Sequence, residues 1–242
     1  MKTTKPSEIN KVAFDEISLA EEWYYKHQLP RIRILMEILK SIENKEIVAD
    51  IGCFTGIISQ EYFKLGAKIV EGFDVSEKAL EKASKRLTKI YKWKAGEESC
   101  PVENERYDVI IASEVIEHVF DTDFFIEELK RILKPNGRII ITTPNMHSAT
   151  NRLLFLTGKF PWTHPGVSTK YNKDPRIDLK HVRLGNLSEW KYFFEIHSLM
   201  IEKVIGINYS LLGKLISLSK TSLSHNLAFV LKISHNNITY NY

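Results

Sequence analysis

The chain has 242 residues, of which 43% are apolar, so it can bury the core of one domain but leaves little for a second. Its net charge of +4 comes from lysines and arginines spread along the chain, and no nucleic-acid footprint is evident. Two cysteines give no disulfide framework, the first residues form no apolar signal region, and no apolar stretch approaches membrane-spanning length, so we expect a cytoplasmic protein without a membrane span.

The N-terminal 45 residues predict helices. Residues 7–29 combine polar and aromatic side chains and predict one or two short helices over the mouth of a ligand cleft, although simple core packing explains the aromatic residues Trp23, Tyr24, Tyr25 and His27 equally well. Pro30 suits the first turn of a further helix, whose apolar residues repeat at helical spacing: Ile34, Leu35, Ile38 and Leu39.

A strand, a tight turn and the start of a helix follow over residues 46–56. The apolar run from Ile47 to Ile51 has strand length, and Gly52 and Gly56 allow the backbone to turn sharply and to approach a ligand closely. Such a turn before a helix can hold a carboxylate or a phosphate. A dinucleotide is disfavoured, because the G-x-G-x-x-G pattern is absent and Asp50 would repel a pyrophosphate.

Two more strands are predicted after this turn. A helix from Ile57 to Leu65, capped by Gly66, leads to a strand from Lys68 to Phe73 that ends in Asp74. An acid about twenty residues after the first turn can hold a ribose diol, although Asp74 could instead cap the helix predicted for residues 76–90. Residues 91–94 then predict the third strand.

The pattern continues with a strand from Tyr107 to Ala112, continuous in Val and Ile as a strand buried on both faces should be. The segment S-E-V-I-E-H-V follows at residues 113–119, and residues 123–133 predict a helix. A Pro-Asn-Gly turn at residues 134–137 leads to a strand from Arg138 to Thr143.

Four of these segments, in order between about residues 45 and 145, resemble one family. D-I-G-C-F-T-G at residues 50–56 resembles the first motif of class I S-adenosylmethionine-dependent methyltransferases, commonly written D-x-G-C-G-x-G, with Phe54 where the family usually has glycine. S-E-V-I-E-H-V is similar to the fourth-strand motif of a subgroup that includes the ubiquinone-biosynthesis O-methyltransferases and many related small-molecule enzymes of the type 11 and type 23 methyltransferase domains.

This resemblance implies an α/β fold with a Rossmann-like, doubly wound sheet of seven strands, mostly parallel with an antiparallel last strand. It also implies S-adenosylmethionine as the cofactor, with Glu97 against the adenine. The residues expected to bind the cofactor are Asp50, Gly52, Cys53, Phe54, Gly56, Asp74, Val75, Glu97, Ser113 and Glu114.

We expect one methyltransferase domain over residues 1–242. It comprises N-terminal helices (1–45), a cofactor-binding core (46–145), a lid insertion (146–186) and the C-terminal part of the sheet (187–242). The lid is inferred from the loss of periodicity after Asn145, since long irregular segments in compact domains are commonly lids or disordered. Leu187 to Leu199 predicts a helix with Trp190, Phe193, Phe194 and Ile196 inward, before strands at 200–205 and 227–233. The amphipathic segment Leu211 to Leu218 is expected to pack on the sheet.

Methyl transfer from a sulfonium requires a nucleophile held in line in a dry pocket, and a base is needed only for a protonated acceptor. Candidate catalytic residues are Glu114, His118 and His181, with Glu117 as a further acid. Glu114, Glu117 and His118 would share one face if the segment were a single helical turn. With the distant His181 they resemble the metal site of small-RNA 2′-O-methyltransferases, and a mixed carboxylate and imidazole set suits Mn, Fe, Co or Zn better than Mg.

The expected function is methyl transfer to O or N of a small-molecule acceptor. One alternative is metal-assisted RNA 2′-O-methylation, which predicts a basic stripe on the lid. The lid holds only a diffuse set of basic residues: Lys159, Lys170, Lys173, Arg176, Lys180 and Arg183. A second alternative is a non-catalytic cofactor-binding or scaffold protein, if Phe54 filled the pocket. The acceptor and the oligomeric state are not encoded in a readable motif.

Overall fold

The computed structural model describes residues 21–160, 181–209 and 220–234. Helix α1 (Glu21–His27) and helix α2 (Leu29–Ser41) precede strand β1 (Ile47–Ile51). A 3-10 helix (Ser59–Leu65), strand β2 (Ile69–Asp74), helix α3 (Glu77–Ala83) and strand β3 (Lys89–Lys92) follow. Next come β4 (Tyr107–Ser113), a 3-10 turn (Ile116–His118), α4 (Thr122–Ile132) and β5 (Leu133–Pro144). The last described elements are α5 (Ala149–Leu156), α6 (Leu187–Ile196), β6 (Leu199–Ile207), a 3-10 turn (Thr221–Leu223) and β7 (Asn226–Ile233).

The seven strands form one sheet in the order β3-β2-β1-β4-β5-β7-β6. The pairs among the first five strands are parallel, whereas β7 runs antiparallel to both β5 and β6. The predicted seven-stranded, mostly parallel α/β fold with an antiparallel last strand is therefore confirmed. Within the described part of the chain, none of the helices has the length and apolar character needed to cross a membrane.

Two apolar clusters cover the two faces of the sheet. Alternate residues of β4 face opposite clusters, with Ile110 and Ala112 on one side and Val109 and Ile111 on the other. Helices α4 and α6 pack on the first side, whereas α2, α3 and the 3-10 helix after β1 pack on the second. This two-sided burial explains why the central strands are continuously apolar.

Several predicted boundaries are wrong at the edge of the sheet. The helix predicted for residues 76–90 ends at Ala83, and β3 begins at Lys89 instead of Tyr91. The register of β3 is fixed by its pairing with β2, where Glu71 lies opposite Lys89. The local spacing of apolar residues does not predict where this pairing begins. The segment after the first turn is also a 3-10 helix, although Gly66 ends it with a left-handed φ of 106° as predicted.

The predicted Pro-Asn-Gly turn lies inside β5. Leu133 already pairs with Tyr107, and regular pairing resumes between Arg138 and Val109 after a register shift. Residues 134–137 therefore bulge out of a strand that begins before them. In α6, Trp190 and Phe194 are buried as expected, but Ile196 is 40% exposed because it lies on the opposite side of the helix.

Candidate functional site

A cavity lies where β1, β2 and β4 end, at the point where the strand order reverses. Ligands of open α/β sheets bind at this position, because neighbouring loops diverge there to opposite faces of the sheet. We call it the main cavity. It is lined by residues from these three strand ends, from the loops that follow them and from the segment after β3: Ile51, Gly52, Phe54, Phe73, Asp74, Val75, Trp93, Lys94, Ala95, Glu97, Ser113, Glu114, Val115, His118, Val119 and Phe120.

The loop after β1 turns tightly along the wall of the main cavity. The backbone N–H groups of Gly52 and Cys53 both donate to the carbonyl of Phe73, at 2.8 and 3.0 Å. Gly52 has a φ of 71°, and a Cβ there would lie 2.6 Å from Val115. Gly56 has a φ of 72° but does not line the main cavity. It packs instead against Ala83 at the end of α3 and against Leu87.

Phe54 occupies the left-handed region that its glycine counterpart would reach without strain. Its φ is 54°, its side chain is only 6% exposed, and its backbone N–H donates to Oδ2 of Asp74 at 2.8 Å. The loop thus keeps its turn in spite of the Phe side chain. A cavity remains beside the ring, since Phe54 is one wall of it.

The buried carboxylate of Asp74 joins the two loops that follow β1 and β2. Oδ2 accepts from Phe54, and Oδ1 accepts from the backbone N–H of Ser76 at 2.8 Å. The N-terminus of α3 is capped by Ser76 itself, whose Oγ accepts from Ala79. Asp74 also lines the main cavity, where a carboxylate can accept hydroxyl groups of a ligand.

A second, smaller cavity adjoins the first; we call it the inner cavity. It is lined by Arg31, Leu35, Asp50, Gly52, Cys53, Phe54, Ile57, Ile58, Tyr62 and Ser113. Burial raises the pKa of Asp50 to about 7, although the hydroxyls of Ser59 and Tyr62 donate to its Oδ2 and oppose this shift. Burial also raises the pKa of the Cys53 thiol, which keeps it protonated.

Arg31 is a site residue that the sequence analysis missed. It is the third residue of α2, is 2% exposed, and lines the inner cavity with Asp50, where its positive charge lowers the Asp50 pKa. A buried guanidinium facing a cavity can pair with a ligand carboxylate. The signal was an arginine at a position where the apolar spacing of α2 predicts a core residue.

Helix α1 also contacts the loop after β1. The carboxylate of Glu21 in α1 accepts from the hydroxyl of Thr55 and pairs with the guanidinium of Arg86, which also donates to the Thr55 carbonyl at 2.8 Å. Helix α1 is thereby attached to the glycine loop. Trp23 and Tyr24 are part of α1, but their side chains lie outside what the structure describes.

Glu97, Val75 and Ser113 line the main cavity, as expected for cofactor contacts. Ser113 shares a hydrogen bond of 2.8 Å with the hydroxyl of Thr142. Glu97 lies beyond β3, next to Gly96 with its φ of 77°. These positions are compatible with the predicted binding roles.

Glu114 does not join the other members of the E-x-x-E-H segment. Its φ is 58°, so it lies outside the single 3-10 turn at Ile116–His118, and the expected common helical face does not form. Its carboxylate instead accepts from Thr142 Oγ1 at 2.7 Å and from Asn226 Nδ2 at 2.5 Å. Glu114 lines the main cavity but is absent from the cluster that could hold a metal.

Glu117, His118 and His181 do come together. One potential ligand atom from each lies within 4.8 Å of the others, and the rings of His118 and His181 are 4.8 Å apart. The backbone explains this, because the N–H groups of Val182 and Arg183 donate to the Glu117 carbonyl at 2.8 and 3.0 Å. His118 also lines the main cavity, so the cluster borders it.

The predicted lid is described only in part. Residues 149–156 form α5, and Lys159 and Arg183 lie in described segments. Lys170, Lys173, Arg176 and Lys180 lie outside the described residues, as does the segment Leu211 to Leu218. The basic stripe that the RNA alternative predicts is therefore not tested.

Comparison with known proteins identifies similar sequences. A family model described as a methyltransferase domain matches residues 23–197. The ubiquinone biosynthesis O-methyltransferase of Pelagibacter ubique is 34% identical over 161 residues, covering 57% of this chain and 66% of that protein. The protein of the same name from Bradyrhizobium diazoefficiens is 35% identical over 148 residues, covering 54% and 57%. The chain thus spans less than two thirds of the length of these relatives.

Solved structures share the fold. A SAM-dependent methyltransferase of Thermotoga maritima superposes with a TM-score of 0.66 at 17% identity, covering 94% of this chain and 99% of that one. A SAM-dependent methyltransferase of Aquifex aeolicus gives a TM-score of 0.55 at 17% identity, with 95% and 98% covered. At this identity the likeness concerns the fold.

Proposed function

The chain belongs to the family of S-adenosylmethionine-dependent methyltransferases, and from this premise we propose that it transfers the methyl group to a hydroxyl oxygen of a small-molecule acceptor. The names of the curated relatives favour a small molecule over RNA, and oxygen over nitrogen, as the acceptor. The observation that carries the proposal is the main cavity at the ends of β1, β2 and β4, with the Asp74 carboxylate in its wall.

We assign the two halves of the cofactor to the two cavities. The adenosine half would lie in the main cavity, with its ribose hydroxyls on Asp74 and its adenine near Glu97. The amino-acid half would lie in the inner cavity, with its carboxylate on Arg31 and its ammonium near Asp50. This assignment pairs the carboxylate and the ammonium of the cofactor with opposite charges.

We assign the removal of the acceptor proton to His118. It borders the main cavity, where the reactive methyl group would be presented, and His181 lies next to it. Glu114 is less suited, because both of its oxygens already accept hydrogen bonds from Thr142 and Asn226. We therefore give Glu114 the role of shaping the wall of the main cavity. Val119 and Phe120 also line this cavity and would supply apolar surface for an acceptor.

Calorimetric titration with S-adenosylhomocysteine tests the cofactor assignment. The Asp74→Asn variant should bind roughly tenfold or more weakly than the wild type, because hydrogen bonds to a charged acceptor are worth about 1.5–3 kcal/mol. Asp123→Asn is the matched control, since its carboxyl group is 70% exposed on α4 and lies outside both cavities. Equal affinity for both variants would contradict the role of Asp74.

The acceptor class is tested by the release of S-adenosylhomocysteine in the presence of phenols, aliphatic alcohols, amines or a short RNA duplex. We expect release with a hydroxyl compound and none with the other classes. His118→Gln should abolish this release while leaving cofactor affinity unchanged. Turnover of amines or RNA would overturn the proposed acceptor.

The cluster of Glu117, His118 and His181 also supports a metal proposal. A carboxylate and two imidazoles fit a divalent ion such as Zn, Mn, Fe or Co, and Glu117 is fully buried. When bound, such an ion would lower the pKa of an acceptor hydroxyl. The chain's own contribution would be to hold these three side chains together through the backbone contacts of Glu117.

Cobalt titration separates the metal proposal from simple base catalysis. If the cluster binds metal, Co²⁺ should give visible absorption bands that are lost in His181→Ala and retained in Glu114→Gln, because Glu114 lies outside the cluster. Chelator should then abolish turnover. Turnover that is insensitive to chelator, with no cobalt spectrum, would leave His118 as a metal-free base.

A further inference from the structure

The main cavity and the inner cavity share three lining residues, Gly52, Phe54 and Ser113. These residues therefore mark the junction through which a ligand must pass if it occupies both cavities. Phe54 contributes the large side chain at this junction, whereas Gly52 and Ser113 contribute little volume.

The chemistry of the cofactor identifies what lies at the junction. The inference rests on the proposed function, in which the adenosine half occupies the main cavity and the amino-acid half the inner cavity. The sulfur atom joins these two halves in the cofactor. It carries a full positive charge in S-adenosylmethionine and none in S-adenosylhomocysteine, because methyl transfer converts the sulfonium to a thioether.

We propose that Phe54 recognises the sulfonium charge and makes this enzyme discriminate between its methyl donor and its demethylated product. Among the described residues, Phe54 is the aromatic side chain that lines both cavities; Phe73 and Trp93 line only the main cavity, and Tyr62 only the inner one. The negative face of an aromatic ring attracts a cation, and more strongly where water is excluded. Phe54 meets this condition, because its residue is only 6% exposed.

The backbone supports a specific role for this side chain. Phe54 has a φ of 54°, a conformation that glycine adopts without strain and that a residue with a Cβ adopts at a cost. The hydrogen bond from its N–H to Asp74 holds it there. The backbone that carries the ring is thus held by the same carboxylate that we assign to the ribose. Loss of the charge after methyl transfer removes the attraction, so the product should leave more readily than the donor.

Titration of three proteins with both ligands tests this inference. The wild type, Phe54→Leu and Phe54→Tyr are each titrated with S-adenosylmethionine and with S-adenosylhomocysteine, without acceptor. Leu keeps a bulky apolar side chain at the same backbone position but has no aromatic face, whereas Tyr keeps the ring. Thermal unfolding of each variant verifies that it is folded.

We expect Phe54→Leu to lose roughly threefold to tenfold in affinity for the sulfonium ligand, with little change for the thioether, and Phe54→Tyr to keep the wild-type ratio. An equal loss for both ligands in Phe54→Leu would reduce Phe54 to a packing residue and overturn the inference. Wild-type protein that binds neither ligand would instead refute the proposed function, so the two failures can be told apart. The ratio of the two affinities is the decisive quantity, because a purely structural role would not change it.

Discussion

At the scale of single residues, Asp50 carries a carboxyl group whose charge changes near neutral pH. Burial raises its pKa to about 7, while hydrogen bonds from Ser59 and Tyr62 and the charge of Arg31 lower it, and the charge of Asp74 raises it further. An ordinary Asp side chain has a pKa near 3.9. The charge of Asp50 in the ligand-free protein is therefore sensitive to pH near neutrality.

This shift predicts opposite pH trends for stability and for ligand binding. Because the pKa is higher in the folded than in the unfolded state, ionisation opposes folding, and the free energy of unfolding should fall as the pH rises from about 4 to 7. Binding of the cofactor's ammonium group needs the ionised form, so affinity for S-adenosylhomocysteine should rise about tenfold between pH 6 and 8.

Both trends should weaken in Asp50→Asn, which cannot ionise. Urea unfolding of the ligand-free protein between pH 4 and 7 measures the stability trend, and calorimetric titration at pH 6, 7 and 8 measures the affinity trend. A wild-type affinity that does not change over this range would separate Asp50 from the ammonium group. If Asp50→Asn loses the pH trend in stability but keeps the trend in affinity, Asp50 titrates in the folded protein but does not bind the ammonium group.

The role of Arg31 at the inner cavity was not predicted from the sequence. Asp50, Gly52 and Asp74 stand out because they end strands or occupy a glycine turn. Arg31 lies in a helix whose pattern reads as ordinary amphipathic structure, and its role follows only from the packing of α2 against the loop after β1. The apolar spacing marks Arg31 only as a buried position, and the cavity that it lines becomes visible only in the packed structure.

At the scale of elements, α6 is held to the sheet by aromatic packing. Phe194 is fully buried, with its ring 5.1 Å from that of Phe229 in β7 and 6.1 Å from that of Trp190. Tyr192, on the same helix, is 56% exposed. Phe194 and Tyr192 are thus two aromatic residues of one helix that differ mainly in burial, and they can be compared as target and control.

Truncation of this pair should give very different losses of stability. Phe194→Ala should lower the free energy of unfolding by about 3–5 kcal/mol, because it removes a buried ring and leaves a cavity. Tyr192→Ala should cost about 1 kcal/mol or less, as expected for an exposed side chain. Chemical denaturation measures both. Similar losses would show that α6 is not anchored through its Phe194 face.

The elements also differ in how well their sequences predict them. Strands β1 and β4 were predicted within a residue or two, because burial on both faces leaves a continuous apolar run. Strand β3 was displaced, since it is a short edge strand whose register depends on β2. The E-x-x-E-H spacing would place Glu114 on the face of Glu117 and His118 if the segment were one helical turn, but the positive φ of Glu114 keeps it out of such a turn. Spacing alone carries no information on such a backbone reversal.

At the scale of the whole molecule, cofactor binding should stabilise the fold. The proposed ligand contacts α2, the loops after β1 and β2, and the end of β4, so unfolding must release it. At a ligand concentration 100 times the dissociation constant, the gain is about 2.7 kcal/mol. For a chain of this size, this corresponds to a rise in melting temperature of roughly 5–11 °C.

Thermal melts with increasing S-adenosylhomocysteine measure this gain. At the same ligand concentration, Asp74→Asn should show a smaller rise than the wild type, and Asp123→Asn an equal one. A rise of the same size in all three proteins would mean that the ligand binds away from Asp74.

The position of β7 has a consequence for how the molecule is made. This strand lies between β5 and β6 in the sheet, but it is formed by residues about 80 positions after β5 ends. During synthesis, the edge of β5 that pairs with β7 therefore stays unpaired until Asn226–Ile233 has left the ribosome. This edge includes Ile139, Ile140 and Ile141, which are buried in the finished fold. An unpaired apolar edge is prone to intermolecular pairing. Nascent chains stalled before residue 226 should accordingly depend on chaperones for solubility.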